Sequence, residues 1–319
     1  MDTKANQVPY NIPADAVWFN KPPPLDISIA VTGCSSGIGK SMAQQLLAYP
    51  EYRVVATARN PSSLADLEGG DDRLLTTALE VTSKESRDAA VAAALAKFGR
   101  IDVFVNNAGQ AFHSDSEQSC PEEERQQFDV NFWGPMELTR HAVRVMREEN
   151  PKNGPIGGVI INVTSFVGFV SIPGCPFYCA SKFALEGFTE TFAKEVHPDW
   201  NIHFCLAEPG GVATAFADNR KFGVPHPAYQ APGTPTREFE AWAQNLSDMG
   251  FSTAEGTAKA IIEAVHGAKE GARGRIPLRL PTGSDSFHMI KREVDNIAAN
   301  LNEFQQVSLI PSNQVTAKA

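Results

Sequence analysis

With 28 Lys and Arg against 37 Asp and Glu, the 319-residue chain carries a net charge of −9 and no basic run, which argues against a nucleic-acid or anionic-membrane surface. Its 42% hydrophobic content suits a globular protein with a sizeable core, and no apolar run is long enough to span a bilayer. The start of the chain lacks the features of a signal peptide, and the five cysteines show no zinc-ligand spacing, so the chain reads as a reduced, cytoplasmic protein without a metal site.

Residues 1–26 form a Pro-rich arm. Pro9, Pro13 and Pro22-Pro23-Pro24 exclude a regular helix, and Trp18 and Phe19 are expected to anchor the arm on the body. A single domain is expected over residues 27–282. Apolar β-type runs occur at Ile27–Val31, Arg53–Thr57, Arg73–Leu79, Ile101–Val105, Gly158–Val163, His203–Leu206 and Ile276–Leu280, with helical patterns between them. Thr82-Ser83-Lys84-Glu85 reads as a capping box opening a helix that ends near Phe98. Mostly apolar strands joined by helices predict a doubly wound α/β fold, a parallel sheet of about seven strands covered on both faces. Ligands of such sheets bind beyond the carboxyl ends of the strands.

The motifs sit at those ends. "VTGCSSGIGK" follows the first strand. Gly33 permits a tight turn, Gly37 and Gly39 allow close backbone approach, and a helix starting near Ile38 points its amides at a phosphate. On this stretch alone, a merely tight strand–helix turn is an equal alternative. Ala58-Arg59 ends the second strand, where an acidic residue would hold the 2′-hydroxyl of NAD and an arginine the 2′-phosphate of NADP; Arg59 on a solvated turn is the alternative. Ser35 and Lys40 are candidate helpers at the phosphate. "NNAG" (Asn106 to Gly109) follows the fourth strand, Ser165 follows the fifth, and Tyr178 and Lys182 share one helix face at i, i+4. Asn131 lies in a helical stretch able to line the same pocket.

Together, T-G-x-x-x-G-x-G, N-N-A-G, the distant Asn, the Ser, Y-x-x-x-K and the following P-G resemble the short-chain dehydrogenase/reductase family over about Ile27 to Leu280. "TAR" and "EPGGVATAF" resemble in particular its NADP-using, 17β-hydroxysteroid-dehydrogenase-like branch, with many fungal members. The resemblance implies Tyr178 as general acid, Ser165 as hydrogen-bond partner of the substrate oxygen, Lys182 as ribose contact and electrostatic partner of Tyr178, and Asn131 as holder of a proton-relay water. It implies cofactor contacts from Gly33, Ser35, Ser36, Gly37, Ile38 and Gly39 in the first turn. Further contacts come from Arg59, Glu80 and Val81, from Asn107, Ala108 and Gly109, and from Pro209, Gly210, Val212 and Thr214. Glu80 departs from the family's usual Asp at the adenine edge. An ammonium about 4 Å from the Tyr178 phenol is expected to lower its pKa by about 3 units.

Gly211 to Pro235 is long for a connection and carries Phe216, Phe222 and Tyr229; it reads as a substrate lid, mobile without ligands, with a disordered surface insertion as the alternative. Phe112, Phe166, Val167, Phe169 and Phe177 are expected as apolar walls for a fairly apolar ketone or aldehyde. Cys179 reads as a packed spectator thiol, and His113, His226 and His288 as surface or rim residues. Residues 283–319 comprise an amphipathic helix, with Phe287, Ile290, Val294, Ile297 and Leu301 at 3-4-3-4 spacing, and a mobile tail. The stripe is expected to dock on the body or on a second subunit, and the resemblance implies a homodimer or homotetramer. The expected function is an NADPH-dependent reductase of a small carbonyl compound. The alternatives are an NADP-dependent alcohol or hydroxysteroid-type dehydrogenase working oxidatively, and a non-redox protein on the same fold.

Overall fold

Every second residue of the central strands is apolar on one face and its neighbour apolar on the other, so both faces of the sheet must be covered by helices. The computed structural model describes residues 27–244, 251–266 and 276–309; the Pro-rich arm and the tail beyond 309 lie outside the described residues. The first half runs β1 Ile27–Val31, α1 Gly37–Leu47, β2 Tyr52–Ala58, α2 Gly70–Arg73, β3 Leu74–Ala78, α3 Lys84–Phe98, β4 Val103–Asn106, β5 Phe112–His113, α4 Pro121–Phe128 and α5 Gly134–Arg144. The second runs β6 Gly158–Val163, α6 Pro176–Glu195, β7 Ile202–Pro209, β8 Val212–Ala213, α7 Ala215–Asp218, β9 Lys221–Phe222 and α8 Pro235–Gln244. It closes with β10 Ser252–Thr253, α9 Ala254–His266, β11 Arg279–Thr282, α10 Ser284–Glu303 and α11 Gln305–Ser308.

Seven strands form one parallel sheet in the order β11-β7-β6-β4-β1-β2-β3, a Rossmann-type α/β fold. Ile27, Ile29 and Val31 face one core with α1 and α9, while Ala30, Val55, Phe104 and Ile160 face the other, with α3 and α5. The order reverses between β1 and β4, which opens a crevice at their carboxyl ends.

Several boundaries differ from the sequence reading. Helix α3 is capped by Ser83, whose Oγ accepts from Ser86 N, and Glu85 bonds the Ser83 hydroxyl; the cap therefore lies one residue later than a Thr82–Glu85 box. The last strand begins at Arg279, because its register is set by pairing with Leu206 to Pro209 rather than by its own apolar run. The stretch 211–235 is not a bare loop. It holds β8, α7 and β9, and β9 pairs with β5. Of the stripe on α10, Phe287, Val294, Ile297 and Leu301 are exposed, so the described body does not bury it.

Candidate active site

Three loops converge at the crevice. In the first, Gly33 and Gly37 have φ of 72° and 57°, values a side chain would strain. Ser36 precedes α1 without a side-chain cap bond, which leaves the first-turn amides of the helix available to an anion. Gly33 lies against Ala108, Gly39 against Asn107, and Gly37 against Thr214, so a Cβ at any of these would crowd the neighbouring loop. These contacts join the N-N-A-G and P-G segments to the first turn. A diphosphate fits this donor set: free backbone amides, small side chains and no carboxylate on the turn.

The second loop is held by the motif's own side chains. Asn107 Nδ2 donates to the Thr32 carbonyl, and the Asn107 and Ala108 amides donate to Thr32 Oγ1, each at 2.9 Å. Asn106 reaches Asn162 Oδ1 at 2.8 Å, and Asn162 reaches Thr189 at 2.7 Å. This buried chain ties β4, β6 and α6 into one register, which is why amides can sit in an apolar sheet.

Ser165 follows β6, and Tyr178 and Lys182 lie on the first two turns of α6. Ser165 lies close enough to the Tyr178 phenol to favour its charged form. Ser165 Oγ also donates to the Pro209 carbonyl (3.3 Å) and caps the short turn over Phe166–Gly168, so its capping and site roles coexist. Lys182 Nζ donates to the Val163 carbonyl at 3.0 Å and lies 5.9 Å from the Tyr178 ring centroid. Burial draws Lys182 down to about 8, and Glu186 opposes the shift. The Tyr178 phenol is pushed up, mainly by burial and then by Cys175 and Cys179, with Ser165 pulling the other way. Desolvation of the phenol therefore outweighs the lowering expected from Lys182, whose ammonium donates to the Val163 carbonyl.

Asn131 occupies a π-helical turn, Asp129–Trp133, between α4 and α5, an irregularity often found at functional sites. Its Oδ1 accepts from the Gln110 amide and its Nδ2 donates to the Gln110 carbonyl, both at 2.9 Å. Gly109 stands beside both Asn131 Oδ1 and Lys182 Nζ, so Asn131, Lys182 and the N-N-A-G loop do meet. The Asn131 side chain is committed to Gln110 and to Ser181 (3.3 Å).

Other candidates fall out differently. Arg59 is exposed just past β2. Lys40 pairs with Asp66 at 2.6 Å, away from the role of phosphate helper. Glu80 Oε1 accepts from the Thr82 amide and hydroxyl, which folds this longer carboxylate back on its own turn, and Val81 is buried against Gly134. Phe177 packs edge-on against Phe128 of α4, and Phe169 lies under the Arg279 guanidinium at 5.2 Å, so neither is a free pocket wall. His113 is buried rather than at the surface, with Nδ1 3.2 Å from Cys175 Sγ. Burial lowers His113 to about 4 and raises the Cys175 and Cys179 thiols, so this contact joins neutral groups. Phe216 stands 6.2 Å from Tyr178, ring to ring.

Sequence reasoning missed a half-buried charge cluster one turn below Lys182. Arg279 Nη1 bonds Glu186 Oε2 at 2.5 Å and Glu208 Oε1 at 2.7 Å. The i, i+4 spacing of Lys182 and Glu186, and a lone carboxylate in the apolar run before Pro209, were available signals; the Arg279 partner needed the sheet order.

The short chain dehydrogenase family pattern matches residues 28–222. The chain is 37% identical over 317 residues to Oxidoreductase calM of Penicillium decumbens, with 98% of each chain covered. A short-chain dehydrogenase from Streptomyces avermitilis superposes with a TM-score of 0.77 at 31% identity, covering 90% of this chain and 98% of that one. Two proteins share the fold at lower identity. An alcohol dehydrogenase from Thermococcus sibiricus complexed with 5-hydroxy-NADP is 23% identical (TM-score 0.63; 81% and 97% covered), and a short chain dehydrogenase/reductase from Burkholderia phymatum in complex with NAD is 22% identical (TM-score 0.64; 91% and 98% covered). With this match along most of its length and a sheet crevice built from the matched motifs, the chain belongs to the short-chain dehydrogenase family and is an oxidoreductase.

Proposed function

We propose that the protein is an NADPH-dependent reductase of a fairly apolar ketone or aldehyde, of the 17β-hydroxysteroid-dehydrogenase-like type. The observation that carries this reading is the meeting of Ser165, Tyr178 and Lys182 at the carboxyl end of β6, beside the Gly33–Gly39 turn. The cofactor, when bound, supplies the hydride. The α1 amides would hold its diphosphate, Arg59 its 2′-phosphate, and Lys182 its nicotinamide ribose. Tyr178, kept protonated by burial, would give its phenolic proton to the substrate oxygen, and Ser165 would hydrogen-bond that oxygen as charge develops on it. The same phenol would act as the acid in the reductive direction and, as phenolate, as the base in the oxidative one.

The segment 211–235 would cover the substrate. Phe216 already stands over Tyr178, and His113, Phe222 and Phe239 form a stacked aromatic edge, with ring centroids 5.1 and 6.4 Å from His113. No charged group is needed to bind an apolar substrate body there. The test is loss of NADPH absorbance under anaerobic conditions against a panel of ketones and aldehydes, with NADH in parallel. Turnover with NADPH and an apolar carbonyl is the expected result. Absence of turnover across the panel with both cofactors would remove the reading.

A further inference from the structure

Lys182 is 4% exposed, and an ammonium so placed must find a balancing charge or lose its proton. The Val163 carbonyl, its hydrogen-bond acceptor, carries no net charge. One turn further along α6, Glu186 is 2% exposed, and on the neighbouring strand β7 Glu208 is fully buried. Between them stands Arg279 of β11, bonded to Glu186 at 2.5 Å and Glu208 at 2.7 Å, with Glu190 3.4 Å away on the outer side. By geometry neither Glu186 Oε1 nor Glu208 Oε2 has a hydrogen-bond partner among the described residues, although Thr164 lies close enough to Glu186 to favour its charged form. One guanidinium thus faces two inner carboxylates, and above about pH 7, where Glu208 is ionised as well, it neutralises one of them. Among the described residues, Lys182 is the buried cation four residues before Glu186 on α6, placed on the same helix face to balance the second, and its field acts on Glu186.

We propose that Glu186, Glu208 and Arg279 are a counter-charge unit for Lys182: the half-buried guanidinium fixes both buried carboxylates, and the one carboxylate charge it leaves over keeps the Lys182 ammonium protonated inside the site. The unit acts through Lys182, so its members are positioning residues. It is also wired to the loops that carry the other motif residues. The Glu186 carboxylate packs on Gly168 in the turn capped by Ser165, and Glu208 precedes Pro209, whose carbonyl accepts from Ser165. Ser286 Oγ donates to the Glu208 carbonyl, and Asp285 accepts from the Gly211 amide, so α10 is rooted on the same strand end. The titratable and charged groups around Lys182 and this cluster are Tyr178, Glu186 and Glu190 of α6, Glu208 of β7 and Arg279 of β11, with Lys194 paired to Glu190 at the rim and Asp285 of α10 held on the Gly211 amide.

This inference deepens the reductase reading through the assigned ribose contact of Lys182, but its central test does not depend on activity. The full-length ligand-free chain is reductively methylated with formaldehyde and cyanoborohydride across a pH series, and modification of Lys182 is followed by peptide mass spectrometry. In Glu186→Gln the midpoint of Lys182 modification should move to lower pH by about one unit or more. Glu208→Gln should move it the same way, because the surviving carboxylate is then wholly paired with Arg279. Arg279→Lys, which keeps the charge, should leave the midpoint near wild type, as should Glu190→Gln at the rim. A wild-type midpoint in folded Glu186→Gln overturns the proposal. Should that variant fail to fold, an unmoved midpoint in Glu208→Gln overturns it equally. In the same variants the alkaline fall in NADPH affinity, read by NADPH fluorescence, should shift with the methylation midpoint. A methylation shift in a protein that turns over no carbonyl would sustain the counter-charge unit and remove the reductase reading. Turnover with no shift would do the reverse.

Discussion

At the residue scale, the proposed reading gives Tyr178 the part of proton donor and Lys182 that of binding cation. Tyr178→Phe removes one hydroxyl and little volume. Turnover should fall about 10²–10⁴-fold, the range for a lost general acid, while NADPH affinity stays within a few-fold of wild type by fluorescence titration. Lys182→Ala should lose both, because its ammonium is assigned a ribose contact as well as the charge inside the site. Arg59 is exposed after β2, where a guanidinium–phosphate contact contributes about 1.5–3 kcal/mol. Arg59→Asp should therefore weaken NADPH binding by about tenfold or more and leave NADH binding unchanged or tighter. Equal affinity of the wild type for both cofactors would remove the basis for NADP preference. Arg59 was legible because it directly follows an apolar strand run, and Tyr178 and Lys182 because of their i, i+4 spacing within a motif set shared with the family. Their surroundings were not. The desolvation that pushes Tyr178 up and the pairing of Lys40 with Asp66 arise from packing between segments, although Cys175 and Cys179, which add to the push, are close in sequence.

At the scale of elements, the segment 211–235 is tied down by one buried carboxylate. Asp115 is 1% exposed; its Oδ2 accepts from the His226 amide at 2.9 Å and its Oδ1 from Arg237 Nη2 at 2.8 Å. The β5–β9 pair holds the middle of the segment, with Lys221 N and Gly223 N donating to Ala111 O and His113 O. Asp115→Asn keeps the shape but removes the charge opposite Arg237. Amides of residues 221–229 should then exchange at least about tenfold faster, since opening free energy falls by more than 1.4 kcal/mol when a buried ion pair is broken. The KM for a carbonyl substrate should rise while NADPH affinity holds. Wild-type exchange at these amides should slow further in a ternary complex with oxidised cofactor and product, and no change there would make the segment a fixed wall rather than a lid. The length and aromatic content of the segment were readable. Its short strand was not, because two residues have no periodicity and β9 exists only through β5.

For the whole molecule, acid stability follows from two buried imidazoles. Burial lowers both His113 and His203 to about 4. Each contributes stability that is present above the unfolded value of about 6.5 and is lost as pH falls through about 4. His203 bonds Asn201 Oδ1 at 2.9 Å, on β7, and carries no part of the proposed chemistry. Between neutral pH and pH 5 it should cost about 2 kcal/mol of stability, roughly 2–4 °C in Tm per kcal/mol lost. His203→Gln should remove that part of the acid-side drop, measured as the Tm difference between pH 7.5 and pH 5 by about the same instrument protocol for both proteins. Glu208 works in the opposite sense. Burial raises it to about 7, so its contribution is present below the ordinary carboxylate range and lost as pH rises through about 7. It affects wild type and His203→Gln alike and cancels in the comparison.

The parallel sheet and the placing of the motif loops at strand ends were legible in the chain alone, and Ser165, Tyr178 and Lys182 were grouped by the motif set shared with the family. Apolar runs, glycine positions and i, i+4 spacing are local properties, and local sterics and burial act on them directly. Only the tertiary structure decided how these groups are charged and held. The strand order brings Arg279 to Glu186 and Glu208, folds β9 onto β5, commits Asn131 to Gln110 and leaves the apolar stripe of α10 exposed. Each of these depends on contacts between segments far apart in the chain, and desolvation, which sets the protonation of the buried groups, is a property of the packed neighbourhood and not of any single stretch.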